Sequence, residues 1–399
     1  MSSSDKSEPI FQLSSGGFTR MLKRRLLGST TAEFPIKFQL LVILGVMWLP
    51  LVVLTLLAGT FYGEGITQPF ITDVVPQVRL LVALPLLLLA DMAISPAVDM
   101  AIRDLATTGV VPESERNRFQ AALIRLTKSR DSVWPDVILL VVAYASTWLF
   151  RPGYGDVDVG ALDLYWFAPA SGDVNDLSTA AWWYVLVSAP IFQFILFRWA
   201  WRFLIWARFL YQVSRIPLSL HATHPDLAGG LGTLGLAQQT FAVVFVAFAA
   251  VVSSTVAHNM IFEGVGFEQS RLEVFVFIVI CVVLIYAPMF FFSADLYTSR
   301  RIGLSQYGKL GHQLSDAFFL RWVKHSGADV GKELKDSTDS STMADYGATF
   351  DTVRSMRFIP ASLRNVVTTT GALAAPFLPL YLIEFSFKDL LGRLAEALV

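Results

Sequence analysis

The sequence predicts an all-α fold: a polytopic membrane helix bundle of about seven transmembrane helices (six to eight), flanked by amphipathic cytoplasmic helices. Three observations carry this. Of 399 residues, 54% are hydrophobic and only 16% charged, whereas soluble proteins carry about a quarter charged residues. The apolar residues are gathered into runs of the roughly 20 residues that a helix needs to cross a bilayer core. The basic residues are gathered into alternate connections between those runs, which is the pattern of a chain threaded through a membrane.

Lys and Arg total 31 against 32 Asp and Glu, a net charge of −1. There is no basic footprint for nucleic acid, and no nucleic-acid partner is expected. The single cysteine, Cys281, has no partner for an intrachain disulfide or a thiolate zinc cluster. No cofactor and no metal are expected.

Residues 1–37 form a basic segment with Arg20, Lys23, Arg24 and Arg25. They lack the short apolar core and small-residue cleavage site of a secretory signal, and Ser2 does not fit the myristoylation pattern. Phe18, Leu22 and Leu26 among these basic residues suit either a helix lying on an anionic leaflet or simple topogenic charge. Seven apolar stretches follow, near 38–60, 77–97, 133–151, 180–204, 233–260, 273–296 and 363–385. The second carries Arg79 and Asp91. The seventh contains Pro376 and Pro379, which suits a broken or re-entrant helix.

Between the runs, 98–132 holds six basic residues and 297–364 holds ten, while 61–76 and 152–179 hold none. Basic residues stay on the cytoplasmic side, so the N-terminus is expected in the cytoplasm of a bacterial-type inner membrane. The 386–399 tail, read as amphipathic, falls on the far side. Two cytoplasmic segments read as helices: 112–131, with Phe119, Leu123 and Leu126 on one face, and 298–325, with Leu304, Leu310, Leu314, Phe318 and Trp322. Residues 326–349, rich in Ser, Asp, Gly and Lys, read as a mobile linker. The domains expected are thus 1–37, a bundle over 38–297, a cytoplasmic helix and linker over 298–360, and a last span with its tail over 361–399. Pro85 to Asp91 and Pro288 to Asp295 echo one another, a hint of an internal repeat.

Intramembrane charge costs at least about 2.5–3.5 kcal/mol, so such residues normally face protein or a wet cavity. Asp91 and Arg198 lie at similar depth and are expected to pair, with Asp295 and Asp136 joining them in a transport path. Arg202 is read as snorkelling to the interface. At the other end, Arg79, His258 and Glu384 share a depth and form a candidate outer gate. His224, Asp226, Gly229, Gly230 and Gly232 belong to a glycine-rich stretch before the fifth span. Gly230, Gly232 and Gly235 match G-x-G-x-x-G, yet no strand-helix-strand unit surrounds them to bind a nucleotide. Two readings remain: Asp226 caps the incoming helix while the glycines allow close packing, or the stretch aims free N–H groups at an anion.

No nucleophile with its base and no H-E-x-x-H motif is present, so an enzyme is the weaker class. The reading favoured is a transporter or channel for a small solute or ion. The alternative is a membrane scaffold or signalling subunit, with a lipid-modifying enzyme using His224 and Asp226 behind it. Expected partners are the lipid bilayer, the solute or ion, and either a second copy of the chain or a cytoplasmic protein.

Overall fold

The computed structural model describes residues 36–63, 68–149, 165–167, 177–324, 334 and 337–384. Among these the chain is helical throughout, with one isolated β-bridge between Gln68 and Tyr165. Five helices are long and apolar enough to cross a membrane: α1 (Phe38–Leu57), α2 (Val74–Thr107), α5 (Thr179–Val213), α6 (Gly232–Phe262) and α7 (Phe267–Val323). A sixth arises if α3 (Arg116–Asp131) and α4 (Trp134–Leu149), bent by 45° at their junction, count as one. Then come α8 (Asp339–Arg354) and α9 (Leu363–Ala374), the latter continued through a 3₁₀ turn into Leu378–Glu384. The chain is an integral, multi-pass membrane protein.

All seven apolar stretches contain helix, and among the described residues five or six qualify as candidate spans by length and composition. The stretch at 363–385 is helix, 3₁₀ turn and helix, broken at Pro376. The division at 297 and 298 falls inside a helix, because the α-helical part of α7 after its 3₁₀ turn runs from Ser293 to Phe318. The mobile linker read over 326–349 is corrected from residue 339 onward, where α8 begins. Composition misled there because small residues predominate. The contact face of α8 is Tyr346, Phe350 and Val353 at helical spacing, and the first of these seats its hydroxyl on the Tyr307 carbonyl at 2.8 Å. Residues 1–35, the 152–164 acidic loop and 385–399 lie outside the described residues.

Helix α6 is the hub: 56% of its apolar window is buried, against 17% for α1. Lipid tails are as apolar as leucine, so close packing of small residues rather than a hydrophobic stripe draws membrane helices together. Ala242, Ala247, Ala249, Ala250, Ser253 and Ala257 on α6 are all buried and line one broad face that admits close neighbours.

The prolines set the remaining geometry. A proline lacks an N–H and clashes with the carbonyl four residues back, and α2 and α5 each absorb this with a π turn, Arg79–Ala83 before Pro85 and Tyr184–Ser188 before Pro190. The Leu186 carbonyl, four residues before Pro190, accepts the Tyr144 hydroxyl of α4 at 3.1 Å. In α7 Pro288 lies in a 3₁₀ turn, and Gln238 of α6 donates to the nearby Ile285 carbonyl while accepting from Trp206 Nε1 at 3.0 Å. In α9 the carbonyl of Pro376 accepts from Ser253 Oγ at 2.6 Å. Interrupted helices thus become cross-helix hydrogen bonds. The echo of Pro85 in Pro288 stops at sequence, since one sits after a π turn and the other in a 3₁₀ turn.

Candidate functional site

Three clusters of polar side chains stand out, two of them on the helices and one on the loop before α6. The first joins α2, α4 and α5. Arg198 and Arg202, one turn apart on α5, point the same way. Arg198 Nε lies 3.5 Å from Asp136 Oδ1 on α4, and Arg202 Nη1 lies 3.8 Å from Asp91 Oδ1 on α2. Both aspartates act electrostatically on both arginines, and Arg130, paired with Asp131 at 2.8 Å, adds its field at Arg202, so this quartet belongs to a wider charge cluster. Asp91 also accepts from Ser95 Oγ at 2.8 Å, and the Arg202 guanidinium covers the Trp199 ring at 4.6 Å.

The expected Asp91–Arg198 pair is therefore exchanged for Asp91–Arg202 and Asp136–Arg198. The physical reason is that α5 packs along α4 on the side of Arg198, leaving Arg202 to reach α2. Snorkelling does not describe Arg202, whose side chain is only 12% exposed. Asp295 is not part of the quartet. It lines a separate cleft and feels the field of Arg215.

The second cluster lies at the opposite end of α6. Asp73 caps α2, accepting from Val75 N at 3.2 Å. Its other oxygen accepts from Trp166 Nε1 at 2.8 Å, and His258 Nδ1 of α6 stands 3.8 Å away. Gln68 Nε2 meets the same imidazole nitrogen at 3.5 Å. Arg79, one turn into α2, donates to the buried Tyr184 hydroxyl at 2.6 Å. Burial pushes the Asp73 carboxyl above its ordinary value, and this outweighs the Trp166 hydrogen bond, His258, the Val75 N–H and Arg79, which all pull it down.

Arg79 and His258 therefore do converge, on an aspartate that was not singled out. The Glu384 side chain lies outside the described residues. Asp73 was legible in principle: an Asp directly before an apolar run is an N-cap signature. Trp166 carries no local signature, because it arrives from a distant loop.

The third is the glycine-rich loop before α6. The Asp226 carboxylate accepts from the backbone N–H groups of Ala228 at 2.8 Å, Gly230 at 3.1 Å and Gly232 at 2.8 Å. His224 Nδ1 sits 2.8 Å from Asp226 Oδ1. Burial alone would raise this carboxyl, but the N–H groups of Ala228, Gly232 and Gly230, with His224, bring it below its ordinary value. The N–H groups that an incoming anion would need are taken by the chain's own carboxylate, which ties the loop together and reaches the first helical residue, Gly232, while the N-cap position itself is Leu231.

Two glycines have specific reasons. Gly230 has φ +100°, a region side-chain-bearing residues rarely adopt. At Gly235 an added Cβ would fall 1.7 Å from the Pro360 carbonyl oxygen. The loop is also clamped from outside: Arg357 N donates to the Leu227 carbonyl at 2.7 Å, and Ser219 N to the Val110 carbonyl at 2.8 Å. This is a structural knot joining three connections.

Comparison of the chain with protein-family models, curated proteins and solved structures returns no match.

Proposed function

We propose that the protein is a transporter or channel for a small solute or ion, set in a bacterial cytoplasmic membrane with the glycine-loop end inside and α9 completing seven spans. The Lys and Arg counts at 98–132 and 297–364 support that orientation. The observation that carries the transport reading is the geometry of the quartet. Asp91 Oδ1 lies 3.8 Å from Arg202 Nη1 and accepts from Ser95 Oγ at 2.8 Å. Asp91 is also the most accessible of the four, its side chain 30% exposed against 12% for its partner. A partly exposed carboxylate beside a buried arginine is suited to meeting a passing cation, a proton or a polar solute.

The test is flux in proteoliposomes. With monovalent ions, protons and a panel of small organic solutes, Asp91→Asn and Arg202→Gln should each lower the flux that wild type supports by tenfold or more. Wild-type flux in both, for a solute the protein moves, would sink the reading.

A second reading, a scaffold or signalling subunit, is favoured by one feature. Helix α7 has 57 residues, about 85 Å at 1.5 Å per residue, and a bilayer core takes only about 30 Å. The projecting part carries α8 on its side, with Tyr346 seated against Gly311. Under this reading, detaching α8 by Tyr346→Ala releases a cytoplasmic partner and leaves flux untouched.

A further inference from the structure

The segment 217–223 and the first turns of α7 beyond Phe292 enclose a cleft of about 460 Å³ at the glycine-loop end. That volume falls within the range of small-molecule sites, roughly 300–1,000 Å³. The cleft owes its existence to two contacts. Gly303 lets Ala222 approach so closely that an added Cβ would lie 2.6 Å from the Ala222 methyl. Ser299 Oγ ties α7 to the Leu220 carbonyl at 3.3 Å. The walls are thereby fixed against each other and the space between them is kept.

The lining has a definite chemistry. Leu218 and Ile302 supply an apolar side, His221, Thr223, Thr298 and Gln306 supply hydrogen-bonding groups, and Asp295 is the one charged residue in the lining. No lysine or arginine lines it. Among the described residues Asp295 makes no ion pair within 4 Å. Arg215, whose field reaches it, places Nη2 3.0 Å from the Tyr211 hydroxyl and its guanidinium 4.8 Å over that ring. In the turn just before the Asp295 helix segment, Phe290 is exposed and Phe291 packs edge-on against Tyr211.

We propose that this cleft binds a primary ammonium group, with Asp295 as its counter-ion, the surrounding hydroxyls and amide as acceptors, and the Leu218 and Ile302 side taking the carbon chain. A carboxylate with no ion pair within 4 Å among the described residues, in a partly enclosed site, favours a ligand that brings a cation. The ammonium has two sources, a soluble amine or an ethanolamine phospholipid headgroup. The proposal does not depend on the transport reading, since the cleft includes none of the quartet.

The experiment uses the full chain. In detergent, titration calorimetry follows putrescine and spermidine, with 1,4-butanediol as the neutral isostere of putrescine. In nanodiscs, native mass spectrometry compares retention of phosphatidylethanolamine with that of phosphatidylcholine. A soluble source gives amine binding that Asp295→Asn weakens at least tenfold while butanediol is not bound. A headgroup source gives selective phosphatidylethanolamine retention that Asp295→Asn abolishes. Thr298→Leu, which fills the cleft and keeps the carboxylate, must reduce whichever binding is seen, and it stands in if Asp295→Asn fails to fold. Equal binding by wild type and folded variants, or binding of neither probe, overturns the proposal.

Discussion

Asp73 and Asp226 hold helix approaches at opposite ends of α6, yet burial and hydrogen bonding leave them on opposite sides of the ordinary aspartate value. Asp226 receives three backbone N–H groups at a half-exposed loop, and its carboxyl is held low. Asp73 receives one backbone N–H and one indole N–H in a nearly closed site, and its carboxyl is held high. The lesson is quantitative: three aligned donors outweigh partial burial, while two do not outweigh near-complete burial. The first site is built to be permanently charged and structural. The second keeps a carboxyl whose proton is easier to gain, beside an imidazole and a guanidinium.

The largest effect that separates them is expected from Asp226→Ala. It leaves three N–H groups of a part-buried loop without their acceptor and should cost about 2 kcal/mol, read as a lowered unfolding midpoint in detergent. A loss under about 1 kcal/mol would mean the loop holds itself without the carboxylate. The pH dependence follows from the lowered value: the Asp226 contribution is complete above the ordinary aspartate value of 3.8 and withdrawn as pH falls through the folded-state value. The gap in stability between wild type and Asp226→Ala should therefore close only below about pH 4.

Next in size is Trp166→Phe, which removes one of the two hydrogen bonds to the buried Asp73 and should cost about 1–2 kcal/mol at neutral pH. Asp73→Asn in the same background should recover most of that loss, a coupling that a purely steric role for the indole would not produce. The smallest effect is Asp73→Asn alone, expected within about 1 kcal/mol of wild type. Its sign changes with pH. Because the Asp73 carboxyl is raised, its contribution is complete below 3.8 and withdrawn as pH rises through the folded-state value. The asparagine variant should gain on wild type from about pH 4 upward, and a gain on acidification instead would reverse the comparison.

Much of this fold was legible from the residues. Apolar runs of bilayer length and the Phe119, Leu123, Leu126 spacing gave the helices because hydrophobicity and period are local properties. The hold of Asp226 on the start of α6 was also readable, since its donors lie two to six residues away. What escaped were relations between distant segments. The exchange of partners between Arg198 and Arg202 depends on which helix α5 leans against. The Asp73 site depends on Trp166, 93 residues along the chain. Helix α8 was hidden because its apolar face is three residues wide and began beside the end of the polar window that obscured it.

The 3₁₀ collar at Ala287–Phe292 has a mechanical meaning. Beyond it, α7 is a rod running to Val323, about 45 Å by helical rise, whose base holds the wall bearing Asp295. A tilt of about 5° at the collar swings the tip of that rod by about 4 Å, given the same rise. The collar is a fulcrum, so that small strains among the prolines are amplified at the far end of the lever and at the wall it carries.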